Sequence, residues 1–503
     1  MRYIIGTTSR RSLLTAFLLI AVCAGLAVRF LDLGGKSFWT DEMLTIDNAL
    51  IGEAMPRAHL FGMLQGPLMS LLVRLLGAVS MAEGFLRLPF ALAGCLTVLA
   101  MYILTRFLKG PWVALNTAFF ISLSPMLVWY SQEVRGYVFV VLFTVLMTYY
   151  LVRWVETPRT RYLFYYGLCL FAGLLSNLAA AFVVMVHLVY LLATPHRRRL
   201  MGRWILSVVV VMLFFSPWVR SVLVATNIDR LAGTDTGEPL KGGARWSLLA
   251  VPYTLFTFSV GYTLGPPLRS IQTEGMAAVT RNMPWVVAAG ALFGAVAVVG
   301  LKKIKEESRD VLFLVLAWMV VPLVAVAALA VRNVKVFTPR YVLVSLPAYG
   351  LVVGQGFAAI TKSRWWPVTL VFAGLLAVSL TNYFLEPAYG KDDARGVASV
   401  IEERFEPGDS VLAVFGARPL AYYLEGFTTV GVFEEGDVKS AEAMQARCRR
   451  MAEGANRVWL SLCREWIVDP DGVIQGWFDA NMALVRSFEF PGMRLYLYTE
   501  RSA

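Results

Sequence analysis

Two short acidic stretches carry the residue types that chemistry at a membrane surface would use. The first is Ser37-Phe38-Trp39-Thr40-Asp41-Glu42. Adjacent carboxylates among aromatics suit a general base beside a second acceptor or a metal ligand. The same residues also make a good helix start, with Thr40 as cap and both acids favoured in the first turn by the helix dipole. The second stretch is Trp129-Tyr130-Ser131-Gln132-Glu133-Val134-Arg135-Gly136-Tyr137, between two apolar runs. So short a loop holds Glu133 and Arg135 near the hydrocarbon boundary, where an ionisable residue is costly and a functional candidate by default. A self-satisfying local ion pair is the plainer alternative. Cations are the third ingredient: Arg340-Tyr341 and Arg87 at the mouths of apolar runs, and Lys335 in the loop before Arg340. The planar arginine fork suits bidentate phosphate binding. Each cation can equally reach for lipid headgroups, the reading preferred for Lys335. Together these groups point to a lipid phosphate whose headgroup reacts at the surface.

The elements that must position these residues are membrane helices. Of 503 residues, 58% are hydrophobic and only 16% charged, against about 25% charged in soluble chains. That excludes a disordered chain, a collagen-like fibre, a small disulfide scaffold and an ordinary cytosolic enzyme. Residues 386–503 hold 13 Lys/Arg against 19 Asp/Glu, and residues 1–385 hold 33 against 15. The net charges, −6 and +18, separate a tail of soluble composition from a membrane part. A spanning helix needs about 20 mostly apolar residues. Eleven segments qualify: 12–30, 85–105, 112–129, 137–152, 162–176, 178–194, 204–222, 283–301, 311–331, 341–360 and 366–385.

Residues 67–80 decide the topology. They are apolar, interrupted by Arg74, and too short to span. Left on the surface, they place 18 of the 33 basic residues of the membrane part in the N-terminus and in loops 106–110, 153–161, 195–203, 302–310 and 361–365. The positive-inside rule makes that side cytoplasmic. The basic excess is then a topology signal rather than a nucleic-acid footprint. The expected protein is a polytopic α-helical membrane protein with about eleven transmembrane helices and a C-terminal soluble α/β domain. Residues 1–385 form the membrane domain, with outer loops 31–84 and 223–282. Residues 386–503 form the outer domain, with the N-terminus inside.

Within that tail the pattern predicts helices over 392–405 and 439–453 and strands over 410–415, 457–462, 483–489 and 493–499. Cys448 and Cys463 could pair in an oxidising compartment. His59 reads as a surface residue and His187, in an apolar run, as a satisfied buried group. No CxxC or Cys/His cluster of zinc-finger type is present, and no nucleotide-binding Gly-rich motif.

In this set of motifs the chain resembles the polyprenyl-phosphate-sugar-dependent glycosyltransferases of the GT-C fold. It is most similar to their bacterial branch of the protein O-mannosyltransferase and lipid A aminoarabinose transferase type. The residues that carry the resemblance are Asp41-Glu42, Leu86-Arg87-Leu88-Pro89, Ser124-Pro125 followed by Tyr130 to Arg135, Pro339-Arg340-Tyr341, and Asp393-Ala394-Arg395-Gly396 with Pro407-Gly408-Asp409. They fall in family order over most of the chain.

The resemblance implies a bundle of GT-C type in the bacterial inner membrane, with the outer domain periplasmic. It implies a sugar donor on polyprenyl phosphate and an acceptor hydroxyl on a lipid, glycan or protein. Asp41 would be the general base, with inversion at the anomeric carbon. Glu42 and Glu133 would support it, or join it in holding a divalent metal. Arg135, Arg340, Tyr341, Arg87 and Lys335 would serve the phosphate. Relatives often carry His-Pro-Pro where this chain has Gln65-Gly66-Pro67, and some carry a His-Tyr pair near Asn177. A flippase or transporter of lipid-linked sugar, without covalent catalysis, is the alternative function.

Overall fold

The computed structural model describes residues 2–50, 66–225, 247–332, 334, 336–363, 367–433 and 440–501. Its chain divides into two compact units.

The first unit comprises Met1–Leu33, Thr45–Leu264 and Met283–Leu380. A helix stands at each of the eleven expected spans. Long, apolar α1 (Arg2–Val28) is followed by α2 (Thr40–Leu50) and α3 (Pro67–Gly77). At 11 residues, α3 rises only about 16 Å, too short to cross, as expected for 67–80. Then come α4 (Glu83–Lys109), α5 (Pro111–Leu123), α6 (Pro125–Ser131), α7 (Tyr137–Glu156), α8 (Thr160–Ser176), α9 (Ala180–Leu192), the short α10 (Pro195–Arg198) and α11 (Met201–Ala225). After α12 (Ala250–Val260) the chain makes α13 (Leu268–Glu274) and α14 (Met276–Arg281). It returns through α15 (Met283–Glu307), α16 (Arg309–Val331), a 3-10 turn at Pro339–Ser345, α17 (Leu346–Lys362) and α18 (Val368–Leu385). Among the described residues seven helices are long and apolar enough to cross a membrane, and eight if α5 and α6 count as one bent span.

That bend has a local cause. A proline disfavours helical backbone in the residue before it, and Ser124 accordingly sits at ψ 113°. The Ser124 hydroxyl then caps the new helix by accepting from the Leu127 N–H at 3.5 Å. The axis turns by 59°, so α6 carries Trp129 and Tyr130 into the acidic loop at a fresh angle.

Ion pairs tie one end of the first unit together. Lys109 meets Glu307 at 2.6 Å and Arg197 meets Asp310 at 2.5 Å. Loops 106–110, 195–203 and 302–310, grouped by charge in the sequence, therefore share one end. His187 is fully buried, with Nε2 3.1 Å from the Thr148 hydroxyl and Nδ1 3.2 Å from the Tyr166 hydroxyl. It is a satisfied buried group that joins α7, α8 and α9.

The second unit comprises Gly34–Leu44, Gly265–Asn282 and Thr381–Ala503. Its centre is a five-stranded sheet of order β2-β1-β3-β5-β4, with β1 (Asp409–Val414), β2 (Val430–Phe433), β3 (Arg457–Cys463), β4 (Met482–Phe490) and β5 (Met493–Glu500). Strands β2, β1 and β3 are parallel, and β5 runs antiparallel to β3 and β4. Helices α19 (Ala394–Arg404) and α20 (Ala417–Tyr423) cover one face, and α21 (Ala441–Ala452) and α23 (Val473–Asn481) the other; α22 (Glu465–Val468) follows β3. Successive residues of a strand face opposite sides. Trp459 and Cys463 thus enter the first core and Val458, Leu460 and Leu462 the second. Cys448, on α21, lies in the second core, so the sheet separates it from Cys463. Both thiols are free. Burial pushes Cys448 up to about 12 and Cys463 well above its usual value.

Candidate active site

The acidic loop of the first unit is built around the end of α1. Gln132 caps that helix: its Nε2 donates to the carbonyls of Val28 (3.3 Å), Arg29 (3.1 Å) and Leu31 (2.7 Å). Arg29 is fully buried and donates to the carbonyls of Gly25, Ser122 (2.7 Å) and Ile121 (3.2 Å). Arg87, 1% exposed, donates to the Leu33 carbonyl at 2.8 Å. These three side chains lock the exit of α1 to the mouths of α4 and α5.

On this frame the loop 132–136 is buried. Glu133 is fully inaccessible, and its carbonyl accepts from the Arg135 N–H at 2.7 Å. Gly136 has no Cβ because there is no room for one: a Cβ there would lie 2.1 Å from the Ser176 carbonyl oxygen. Gly66, at φ +57°, closes on the same oxygen, its added Cβ lying at 2.5 Å. Gly66 and Gly136 therefore both pack against the backbone at the end of α8.

Around Glu133 stands a set of phenols. Tyr130 and Tyr137 lie 4.9 Å apart between centroids with their rings tilted by 56°, and Tyr262, in the loop after α12, meets Trp129 edge-on at 5.9 Å. Tyr262 and Tyr130 act on each other electrostatically, and the charges of Glu133 and Arg340 act on both phenols. Burial pushes the Tyr262 phenol up to about 12, with the nearby Tyr130 and the Arg340 charge pulling the other way. Next door, the Thr263 hydroxyl donates to the Ser379 carbonyl at 2.7 Å, which pins this loop to α18. The Thr338 hydroxyl accepts from the Arg340 N–H at 3.3 Å and opens the 3-10 turn that delivers Arg340. Its guanidinium lies 5.3 Å from the Tyr341 ring. Arg135 lies 5.9 Å from the Tyr137 ring and donates to the Thr45 hydroxyl at 3.3 Å. Thr45 belongs to α2, whose first turn holds Asp41 and Glu42.

The structure thus brings Glu133 and Arg340 together with three tyrosines, of which the site residues expected from sequence include none. Tyr130 and Tyr137 flank the acidic motif. Tyr262 gave no signal, since it stands alone among turn-forming residues. Lys335 and His59 lie outside the described residues.

In the second unit α2 starts at Thr40 with Asp41 and Glu42 in its first turn as the sequence predicts, but the buried Thr40 hydroxyl makes no capping bond. Glu42 is fully buried, its N–H donating to the Trp39 carbonyl at 2.9 Å. Among the described residues no three His, Cys, Asp or Glu side chains gather as a metal donor set. No step below passes through a metal.

Residues 65–220 match the family model described as dolichyl-phosphate-mannose-protein mannosyltransferase. The matched segment contains Arg87, Glu133 and Arg135. No curated protein matches the chain in sequence. Among solved structures, ArnT from Cupriavidus metallidurans in the apo state superposes with a TM-score of 0.58 at 13% identity, over 96% of this chain and 98% of that one. The same protein bound to undecaprenyl phosphate gives 0.57 at 13% identity over the same shares. The Archaeoglobus fulgidus oligosaccharyltransferase in complex with zinc and sulfate gives 0.54 at 11% identity, over 88% of this chain and 67% of that one. The resemblance read from the motifs is borne out: the chain has the fold of the GT-C glycosyltransferases, and its residues 65–220 are similar to the dolichyl-phosphate-mannose-protein mannosyltransferase family.

Proposed function

We propose that the protein is an integral-membrane glycosyltransferase that moves a sugar from a polyprenyl-phosphate donor to an acceptor hydroxyl at the outer surface, with inversion. The observation that carries this reading is a fully buried carboxylate, Glu133, sharing its tyrosines with Arg340 in a chain of GT-C fold. Water-excluded charge acts more strongly than exposed charge, and fixed donors aimed at a leaving group stabilise the charge that develops there.

Asp41 is the base. It takes the acceptor hydroxyl proton while that oxygen bonds to the anomeric carbon from the side opposite the phosphate. The bond from that carbon to the phosphate oxygen breaks, and polyprenyl phosphate leaves with the electron pair. Arg340 and Arg135 receive its growing charge. Tyr341 lies beside Arg340 for the same purpose, and Glu133 orients the acceptor. Arg87 holds the Leu33 carbonyl and so positions the outer loop. The membrane is the bacterial inner membrane, with residues 386–503 periplasmic. The acceptor is a lipid, a glycan or a protein.

Asp41→Asn tests the reading. In a deletion strain complemented with this variant, the protein accumulates in the membrane. Mass spectra of the envelope lipids and glycans then lack the transferred sugar. A fully active Asp41→Asn variant overturns the assignment of the base. Transport of lipid-linked sugar across reconstituted vesicles, with no covalent product, overturns the enzyme in favour of a flippase.

A further inference from the structure

Open α/β sheets offer a crevice to ligands at the carboxyl ends of their parallel strands. In the second unit that edge is formed by the ends of β1 and β3, the start of α19 and the β4–β5 turn. It holds the chain's own residues 34–39.

The contacts read like recognition of a peptide. The Arg395 guanidinium donates to the Gly34 carbonyl at 3.2 Å and the Gly35 carbonyl at 2.6 Å. The Ser37 hydroxyl donates to the Asp392 carbonyl at 3.0 Å and accepts from the Ala394 N–H at 3.1 Å. It therefore sits at the N-terminus of α19, where helix N–H groups need acceptors. The Tyr423 hydroxyl accepts from the Phe38 N–H at 2.8 Å, and the Tyr422 ring meets Phe38 edge-on at 5.8 Å. The Trp39 ring lies 4.9 Å from the Arg464 guanidinium and 5.7 Å from the Lys391 ammonium, a cation–π geometry.

Arg464 is the first residue after β3, at φ +45°. A non-glycine residue persists there only where its surroundings hold it. Asp392, 3.1 Å from its guanidinium, and Trp39 are what hold it. Neither hydrophobic core of the sheet contains a residue from 34–39. The sheet does not need this segment to bury its apolar surface.

We propose that the α/β unit is a positioning module: its strand-end crevice grips Gly34–Trp39 and thereby fixes the first turn of α2, which carries Asp41 and Glu42. The inference rests on the role given to Asp41 above. Asp41 follows Trp39 by two residues, so slack in the grip passes directly to the carboxylate. A misplacement of about 1 Å can cost about 100-fold in rate. Ser37, Trp39, Arg395, Tyr423 and Arg464 are positioning residues that touch no substrate.

The test uses full-length protein. Tyr423→Phe removes only the hydroxyl that accepts from Phe38, and Arg395→Ala removes the fork on Gly34 and Gly35. In the double variant, hydrogen exchange over residues 34–44 rises while β1 and β3 keep their protection. Sugar transfer in a complemented deletion strain falls about 10- to 100-fold, and binding of undecaprenyl phosphate, used as the probe, stays within about two-fold of the parent. Arg395→Lys, which can meet one carbonyl, recovers part of the rate. Unchanged exchange over 34–44 overturns the proposal, as does parental transfer. Exchange rising equally in β1 and β3 also overturns it, because the contacts would then serve the stability of the sheet. If Asp41→Asn is itself fully active, the base assignment fails, while the exchange measurement still decides whether the grip exists.

Discussion

Gln132 reaches back across the sequence to the Leu31 carbonyl, donating to it at 2.7 Å. The same amide serves the carbonyls of Val28 and Arg29. One side chain thus satisfies the exposed end of α1 and sets where Glu133, its neighbour, begins.

Gln132→Glu should therefore destabilise the protein. It swaps a donor for an acceptor facing three acceptors, with almost no change in shape. Leaving buried carbonyls unsatisfied costs about 1–3 kcal/mol, more where the new group is charged. Thermal unfolding in detergent should show a clearly lower midpoint for Gln132→Glu than for the parent. An unchanged midpoint would show that the cap contributes nothing.

Tyr262→Phe removes the hydroxyl that acts on Tyr130 and keeps the ring against Trp129. The loop stays pinned by Thr263 and Ser379, so folding should be unaffected. If the phenol pair helps to order Arg340 and Glu133, transfer should fall about ten-fold, which is about 1.4 kcal/mol of transition-state stabilisation. Full activity in Tyr262→Phe would remove the phenols from the mechanism.

How far the site was legible follows from range and length. Hydropathy placed a helix at each expected segment, and among the described residues seven of these, or eight with α5 and α6 as one bent span, have the length and apolarity that a membrane imposes. The tail strands at 410–415, 457–462, 483–489 and 493–499 match β1, β3, β4 and β5 closely, since alternation and turn residues are local signals. Strand β2 has four residues, too few for a pattern. Helix α12 is apolar but has 11 residues, so it was absorbed into the expected loop 223–282, and Tyr262 with it. The bond from Gln132 to Leu31 spans 101 positions, and that from Ser37 to Asp392 spans 355. Pairings at such distances leave no periodicity to read.

Asp409 predicts a pH dependence in the second unit. Burial alone would raise its pKa, but Arg457 and the N–H groups of Glu406 and Trp459 outweigh that and hold it below its ordinary value. The bonds are short: 2.8 Å and 2.7 Å from Arg457, 2.8 Å from the Trp459 indole and 3.0 Å from the Glu406 N–H. A depressed folded pKa contributes stability above the unfolded value, about 3.9. That contribution is lost as pH falls through the folded value. Below about pH 4 the unfolding midpoint of the parent should therefore fall more steeply than that of Asp409→Asn. At neutral pH the Asn variant should be the less stable. Parallel curves would contradict the ion pair's role.

The membrane orientation can be tested on the same molecule. Two ion pairs gather loops 106–110, 195–203 and 302–310 at one end of the first unit, and Gln132 and Arg87 close the end that carries the acidic loop. That geometry sorts the loops into two sets, and the positive-inside rule says which set faces the cytoplasm. Arg198 and Asp471 are both exposed side chains. In a background without the five native cysteines, Arg198→Cys should resist an impermeant thiol reagent in intact cells and react once the membrane is opened. Asp471→Cys should react in intact cells at once. The reverse pattern would turn the protein over. Asp41 would then face the compartment rich in nucleotide sugars, and the case for a lipid-linked donor at the outer surface would fail.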